Sequence, residues 1–210
     1  MAHTETGDSG TIRFPKMEPV HRPEWASPLT VGVQAREFLS ALPEKPTKEV
    51  LSALARDPKV VAILGSHPLG RLELSGRVPN PNWNGSYRPA SGDLTVNPFR
   101  PPGSYGKEFH NPALKSVSEA GRTLPEAMQR SLYHELGHHI LNVAGPEVRS
   151  QVTRLVRSGR TFPISQRAKM RAVEYFSESF TAYRFEDSFA DKDPEGYHMV
   201  EAILRSVGKK

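Results

Sequence analysis

The chain contains no cysteine. That absence removes disulfides and every thiolate metal site, so a bound metal ion would have to be held by His, Asp or Glu. Long apolar runs are missing too: nothing in the 210 residues approaches the roughly 18 uninterrupted apolar residues that a membrane span requires. The first residues, Met1-Ala2-His3-Thr4-Glu5-Thr6, lack the basic-then-apolar layout of a secretory signal, so a cytoplasmic location is expected. Aromatic residues are scarce at 8%. The formal charge is +5, yet there is no Lys/Arg block, no aromatic-basic alternation and no zinc-finger spacing. Scattered charge of this kind reads as a solvated basic surface rather than a nucleic-acid interface.

What the chain has in quantity is loop formers, with 19 prolines and 16 glycines lying mostly outside the helical patterns. Residues 1–30 are polar and punctuated by Pro15, Pro19, Pro23 and Pro28, which reads as a flexible or draped arm. A single domain is expected over 31–210, a length that can bury one core. Helical patterns occur at 33–42 and 48–56, the second opened by Thr47 and closed by Asp57-Pro58. The apolar run at 60–64 suits a buried strand. Alternation at 71–75 predicts a half-exposed strand. The residues Asp93, Leu94, Thr95, Val96 and Asn97 alternate between Gly92 and Pro98, which predicts an edge strand whose ladder stops at the proline. The irregular stretch 99–122 is long enough to be a functional loop.

The clearest element lies between Thr123 and Gly145. Thr123-Leu124-Pro125-Glu126 fits a capping box, and Gly145-Pro146 supplies a stop. Met128, Leu132, Leu136, Ile140 and Val143 recur at helical spacing and form a packing stripe. Further helices are expected at 166–187, with Ala172, Phe176, Phe180 and Tyr183 buried, and at 194–207.

On the first of these helices sits His134-Glu135-Leu136-Gly137-His138. Histidines four apart lie one above the other on one face, so both imidazoles can reach one ion at about 2.0 to 2.1 Å. Glu135 is turned about 100 degrees away, where it can act as a general base on water without becoming a ligand. Two surface histidines on an ordinary helix are the plain alternative. A catalytic zinc site takes three protein ligands and an open position. The later helix offers Glu174 and Glu178 at the same four-residue spacing. We take Glu174 as the third Zn2+ ligand. Glu178 would then accept a hydrogen bond from the outer nitrogen of a ligating histidine, with the reverse assignment left open. His139 is expected to pack rather than to close the site as a fourth ligand. Nothing in the spacing of His67, Tyr105 and His110 brings them to the site, and Tyr175 and Tyr183 read as core aromatics.

His134-Glu135-Leu136-Gly137-His138-His139 followed by Glu174-Tyr175-Phe176-Ser177-Glu178-Ser179-Phe180 resembles the gluzincin metallopeptidases of the anthrax-lethal-factor type. Their second motif runs Glu-aromatic-Phe-small-Glu-small-Phe, and similar domains occur in phage head-morphogenesis proteins and toxin chains. The resemblance spans roughly residues 85 to 185. It implies that His134, His138 and Glu174 bind zinc and that Glu135 activates water. It also implies that the strand Asp93 to Asn97 pairs with an extended peptide substrate. The expected fold is α+β and zincin-like: a small, mostly antiparallel sheet, the HExxH helix and a second glutamate-bearing helix. The expected activity is hydrolysis of a peptide or protein. The alternative is a catalytically weakened zinc module of a phage head or toxin assembly, with phage structural proteins as partners and a host cytoplasm or virion as its place.

One position departs from the pattern. Lethal-factor-like members carry a tyrosine seven residues before the glutamate ligand, where this chain has Arg167. Read as one helix, Arg167, Arg171, Glu174 and Glu178 share a stripe. An arginine there can stabilise an oxyanion, or it can pair with Glu174 or Glu178.

Overall fold

A computed structural model describes residues 34–40, 44–74, 85–97, 124–163 and 165–208. The elements in chain order are β1 (Ala35–Ser40), α1 (Glu44–Ala55), α2 (Pro58–Ser66), β2 (Leu69–Leu74), β3 (Gly85–Arg88), β4 (Asp93–Val96), α3 (Leu124–Ala144), α4 (Pro146–Arg157), α5 (Gln166–Met170), α6 (Ala172–Phe185), α7 (Phe189–Lys192) and α8 (Pro194–Val207). The architecture is therefore mixed α/β: a small four-stranded sheet with eight helices among the described residues. None of these helices is long and apolar enough to cross a membrane. The arm 1–30, the loop 99–122 with Tyr105 and His110, and the capping residue Thr123 lie outside the described residues.

The strand order is β1-β2-β4-β3. β1 pairs parallel to β2, β2 pairs parallel to β4, and only β3 with β4 is antiparallel. This corrects the expected mostly antiparallel sheet. The helices α1 and α2 form the crossover that lets β2 run alongside β1 in the same direction. It also corrects the edge. Asp93, Leu94, Thr95 and Val96 form an interior strand, with Leu94 opposite Leu72 on one side and Tyr87 on the other. Among the described residues the outermost strand on that side of the sheet is β3. Pro98 was a sound reason to end a ladder, but it says nothing about how many neighbours the strand has before it. The β3–β4 connection turns at Gly92, whose φ of 73° is the left-handed region that glycine enters without strain.

Two other segments reverse their sequence reading. Residues 35–40 are a strand, not a helix, because Phe38 and Ser40 are buried in register with Leu72 and Leu74 of β2. Residues 60–64 are helical. Asp57 caps α2 by accepting the Lys59 and Val60 backbone N–H groups at 3.1 and 3.2 Å, and Pro58 fits the first turn. Asp57 thus starts a helix as well as following one. It is held in place by Tyr133 Oη, which donates at 2.9 Å, and by Arg184 Nε at 3.0 Å. Thr47 lies within α1, buried and 3.1 Å from Ser40 Oγ, rather than at the helix start.

The long helix α3 fits its expectation closely. Met128, Leu132, Leu136 and Ile140 are buried, and Val143 packs at the border of the same core. Gly145, at φ 96°, breaks the helix, and Pro146 opens α4 at once, an element not expected from the sequence. The anticipated helix 166–187 is broken at Arg171, whose φ and ψ of −131° and 114° are extended. α5 and α6 are therefore separate. In α6 every residue from Glu174 to Ala182 is buried, because α3, α4, α5 and α8 all pack on it. Phe176 and Phe180 lie in the core as expected, whereas Ala172 and Tyr183 are half-buried at its margin. α8 occupies its anticipated span, capped by Asp193 Oδ1 accepting Gly196 N–H at 3.0 Å.

α3 crosses α6 at Gly137. A Cβ there would lie 2.7 Å from Ser177 Cα and 3.0 Å from Ser177 Oγ, so the contact involves backbone that no rotamer change can relieve. In an unconstrained helix Gly→Ala gains about 1 kcal/mol; here overpacking should reverse the sign and cost about 1 to 3 kcal/mol. The expected outcome for Gly137→Ala is a melting temperature lower by about 2 to 10 °C, read by calorimetry. An unchanged or raised value would show that the helices are not held this closely.

Candidate metal centre

The Gly137–Ser177 contact decides which side chains meet. His134 and His138 flank Gly137 on α3, and Glu174 and Glu178 flank Ser177 on α6 at the same offsets of minus three and plus one. The crossing brings these two pairs face to face. Glu174 Oε2 lies 3.4 Å from His134 Nε2 and 3.9 Å from His138 Nε2. The three ligand atoms all fall within 4.8 Å of one another. Donors placed tetrahedrally at 2.0 to 2.1 Å from zinc are separated by about 3.3 Å, so this set needs only a small contraction to hold a metal ion. The rings of His134 and His138 are T-shaped, 5.0 Å apart and 84° in interplanar angle. The expected ligands are thus brought together, and they form one group that can bind a metal ion.

The electrostatics of the protein groups themselves point the same way. Burial alone would lower the His134 pKa, but the hydrogen bond to Glu174 and the charges of Glu135, Glu174 and Glu178 outweigh it and leave it raised. Burial, with His134 beside it, takes His138 down to about 3. Burial would raise Glu174, yet its bond to His134 and the neighbouring cationic groups bring it down to about 2. A proton on His134 therefore sits where the cluster concentrates negative charge, and a cation can replace it.

Glu135 is 6% exposed, and burial pushes its carboxyl up to about 7. Its seat exists because β3 begins with glycine: a Cβ at Gly85 would lie 2.7 Å from Glu135 Cγ and 2.8 Å from Oε1. Gly85 was not singled out from the sequence, where it closes a turn-rich stretch. Its role depends on a strand packing against a helix far along the chain.

Glu178 departs from its expected role. Its Oε1 accepts from Ser165 Oγ at 2.6 Å, and Oε2 is buried without a hydrogen-bond partner among the described residues. Ser165 reaches it because the same hydroxyl caps α5, accepting Ala168 N–H at 3.1 Å, an S-x-x-A start that is legible as a cap but not as a site contact. Of the two arginines, Arg167 donates from Nη2 to Glu174 Oε1 at 2.7 Å. Arg171 is exposed, and the break in the helix at this residue removes it from the expected stripe. His139 packs as expected. Its Nε2 lies 2.8 Å from the His67 carbonyl and so carries the proton, leaving Nδ1 to accept from Tyr87 Oη at 3.2 Å. Tyr87 Oη in turn accepts from Asn142 Nδ2 at 3.1 Å.

Because the Glu135 pKa rises from 4.5 to about 7 on folding, the folded state holds a proton that the unfolded state has lost across that interval. The associated stability falls as pH rises through it, by at most about 3 kcal/mol. In metal-free protein Glu135→Gln should match wild type near pH 4.5 and exceed it in urea denaturation at pH 8; equal midpoints at both pH values would mean that the carboxyl is solvated. Comparison of the chain with family models, with curated proteins and with solved structures returned no match, so the case for what this site does rests on its donor set and its surroundings.

Proposed function

We propose that this protein is a zinc-dependent endopeptidase of the gluzincin type, acting on a peptide or protein. The observation that carries the proposal is the convergence of His134 Nε2, His138 Nε2 and Glu174 Oε2 with Glu135 buried beside them. Two imidazoles and one carboxylate, with no thiolate available, are a donor set suited to a catalytic zinc. Zinc bound there would supply Lewis acidity, polarising a carbonyl and making water more acidic.

The chain's own groups then divide the work. His134, His138 and Glu174 hold the ion. Glu135 takes a proton from the water that attacks the peptide carbonyl carbon and delivers it to the leaving amine nitrogen as the C–N bond breaks. Gly85 and the body of α3 cover Glu135 on the side away from the ligand set, which leaves the carboxylate to meet the reacting water rather than bulk solvent. An extended peptide paired along the outer edge of β3 would lie next to Gly85, and hence near Glu135.

A second reading is a zinc-binding structural or interaction module of a phage head or toxin assembly, with turnover reduced. One observation favours it: Arg167, at the position where the resembling enzymes carry a tyrosine, is engaged by Glu174.

The two readings separate in one experiment. Purified protein should contain one zinc per chain, lost in His134→Ala, His138→Ala and Glu174→Ala. Glu135→Gln should keep the zinc while cleavage of a peptide library falls by about 10² to 10⁴-fold. Chelator should abolish cleavage and zinc restore it. Stoichiometric zinc with equal behaviour of wild type and Glu135→Gln would leave the module and remove the enzyme.

A further inference from the structure

Glu174 uses its two oxygens differently. Oε2 faces the imidazoles at 3.4 and 3.9 Å, while Oε1 is held by Arg167 Nη2 at 2.7 Å. A second bond runs beside it, from Ser165 Oγ to Glu178 Oε1 at 2.6 Å. The two donors come from the start of α5 and meet two carboxylates one turn apart on α6, in antiparallel order: residue 165 with 178, residue 167 with 174. The extended backbone at Arg171 makes this possible, because it lets α5 fold back along α6 instead of continuing it.

Resting on the metal-site reading above, we propose that Arg167 is a positioning residue for Glu174. Its guanidinium occupies one carboxylate oxygen, so that Glu174 presents only Oε2 and serves as a single-oxygen ligand. Instead of meeting an oxyanion, Arg167 is thereby committed to orienting the ligand set and keeping a coordination position open.

Charge and position make opposite predictions. Arg167 is 57% exposed, and a cation near a cation weakens binding, so if charge were its only effect its removal would tighten zinc. If it orients Glu174, its removal loosens zinc, as loss of a hydrogen-bond partner to a metal ligand commonly does by about 10 to 100-fold.

The test is a zinc titration of full-length apoprotein in competition with a chromophoric chelator. Wild type, Arg167→Ala, Arg167→Gln, Glu174→Ala and Lys169→Ala are compared, the last removing an exposed charge from the same helix. Glutamine is too short to span the gap, so the two Arg167 variants should both weaken zinc about 10 to 100-fold, and the one that folds suffices. Lys169→Ala should leave affinity unchanged. Cobalt-loaded Arg167 variants should also absorb more weakly in the visible than wild type, since a released Glu174 can close with both oxygens and raise the coordination number. Unchanged or tighter zinc, with an unchanged cobalt spectrum, overturns the role of Arg167. If Glu174→Ala weakens zinc but the Arg167 variants do not, only the positioning role falls. If wild type takes up no zinc, or Glu174→Ala binds as well as wild type, the metal site falls and Arg167 with it.

Discussion

The site depends on one backbone contact, the approach of Gly137 on α3 to Ser177 on α6. Helix axes normally sit 8 to 10 Å apart, at a distance set by the residues at the crossing. A glycine against a serine allows the close end of that range. The functional consequence follows from helical periodicity. Residues three before and one after the contact point face the partner helix, and on α3 these are His134 and His138, on α6 Glu174 and Glu178. The glycine in the HELGH segment is thus as much a part of the candidate metal site as the histidines, although it offers no ligand atom.

Closing two helices around this group is unfavourable in the absence of a cation. Glu135, Glu174 and Glu178 are all buried, and an ionised carboxylate out of water costs several kcal/mol unless it is paired. Each is treated differently. Glu174 stays ionised because His134 and Arg167 face it. Burial raises Glu178, with the Ser165 hydroxyl working against the rise. Glu135 has no donor comparable to either among the described residues and is raised furthest. The carboxyl poorest in partners is the one to which the proposed function gives the general-base role, and giving up stability there fits a group meant to move a proton.

Much of this was legible in the sequence, and the failures have definable causes. The helix 124–144 carried both period and capping signals, and it and the helix 194–207 lie where they were expected. The i, i+4 spacing picked out His134 with His138 and Glu174 with Glu178 but could not choose between the two glutamates; the helix crossing brings Glu174 to the imidazoles. Strand 35–40 and helix 58–66 were misread because each is short: sheet pairing decided the first and a cap the second, and Asp57-Pro58 can end one helix and begin another with equal ease. The break at Arg171 has no proline or glycine to mark it. The neighbours of the strand 93–96 are a property of topology, which alternation in one strand does not encode.

The same helix also fixes where a substrate edge would lie. Along α3 the residues Glu135, His139 and Asn142 fall at i, i+4 and i+7, one face of a helix. Opposite them in β3, Gly85 and Tyr87 are two apart and so share one face of the strand. Glu135 fits against Gly85, while His139 and Asn142 hold the Tyr87 hydroxyl. The helix therefore has three working faces: Leu132, Leu136 and Ile140 pack the core, His134 and His138 meet α6, and Glu135, His139 and Asn142 clamp the outermost strand. Any movement of β3 must be transmitted to the carboxyl of Glu135 through Gly85. A ligand adding to that edge would press on the Glu135 carboxyl through the strand itself, and under the proposed function that would bring docking and proton transfer to a single helix turn.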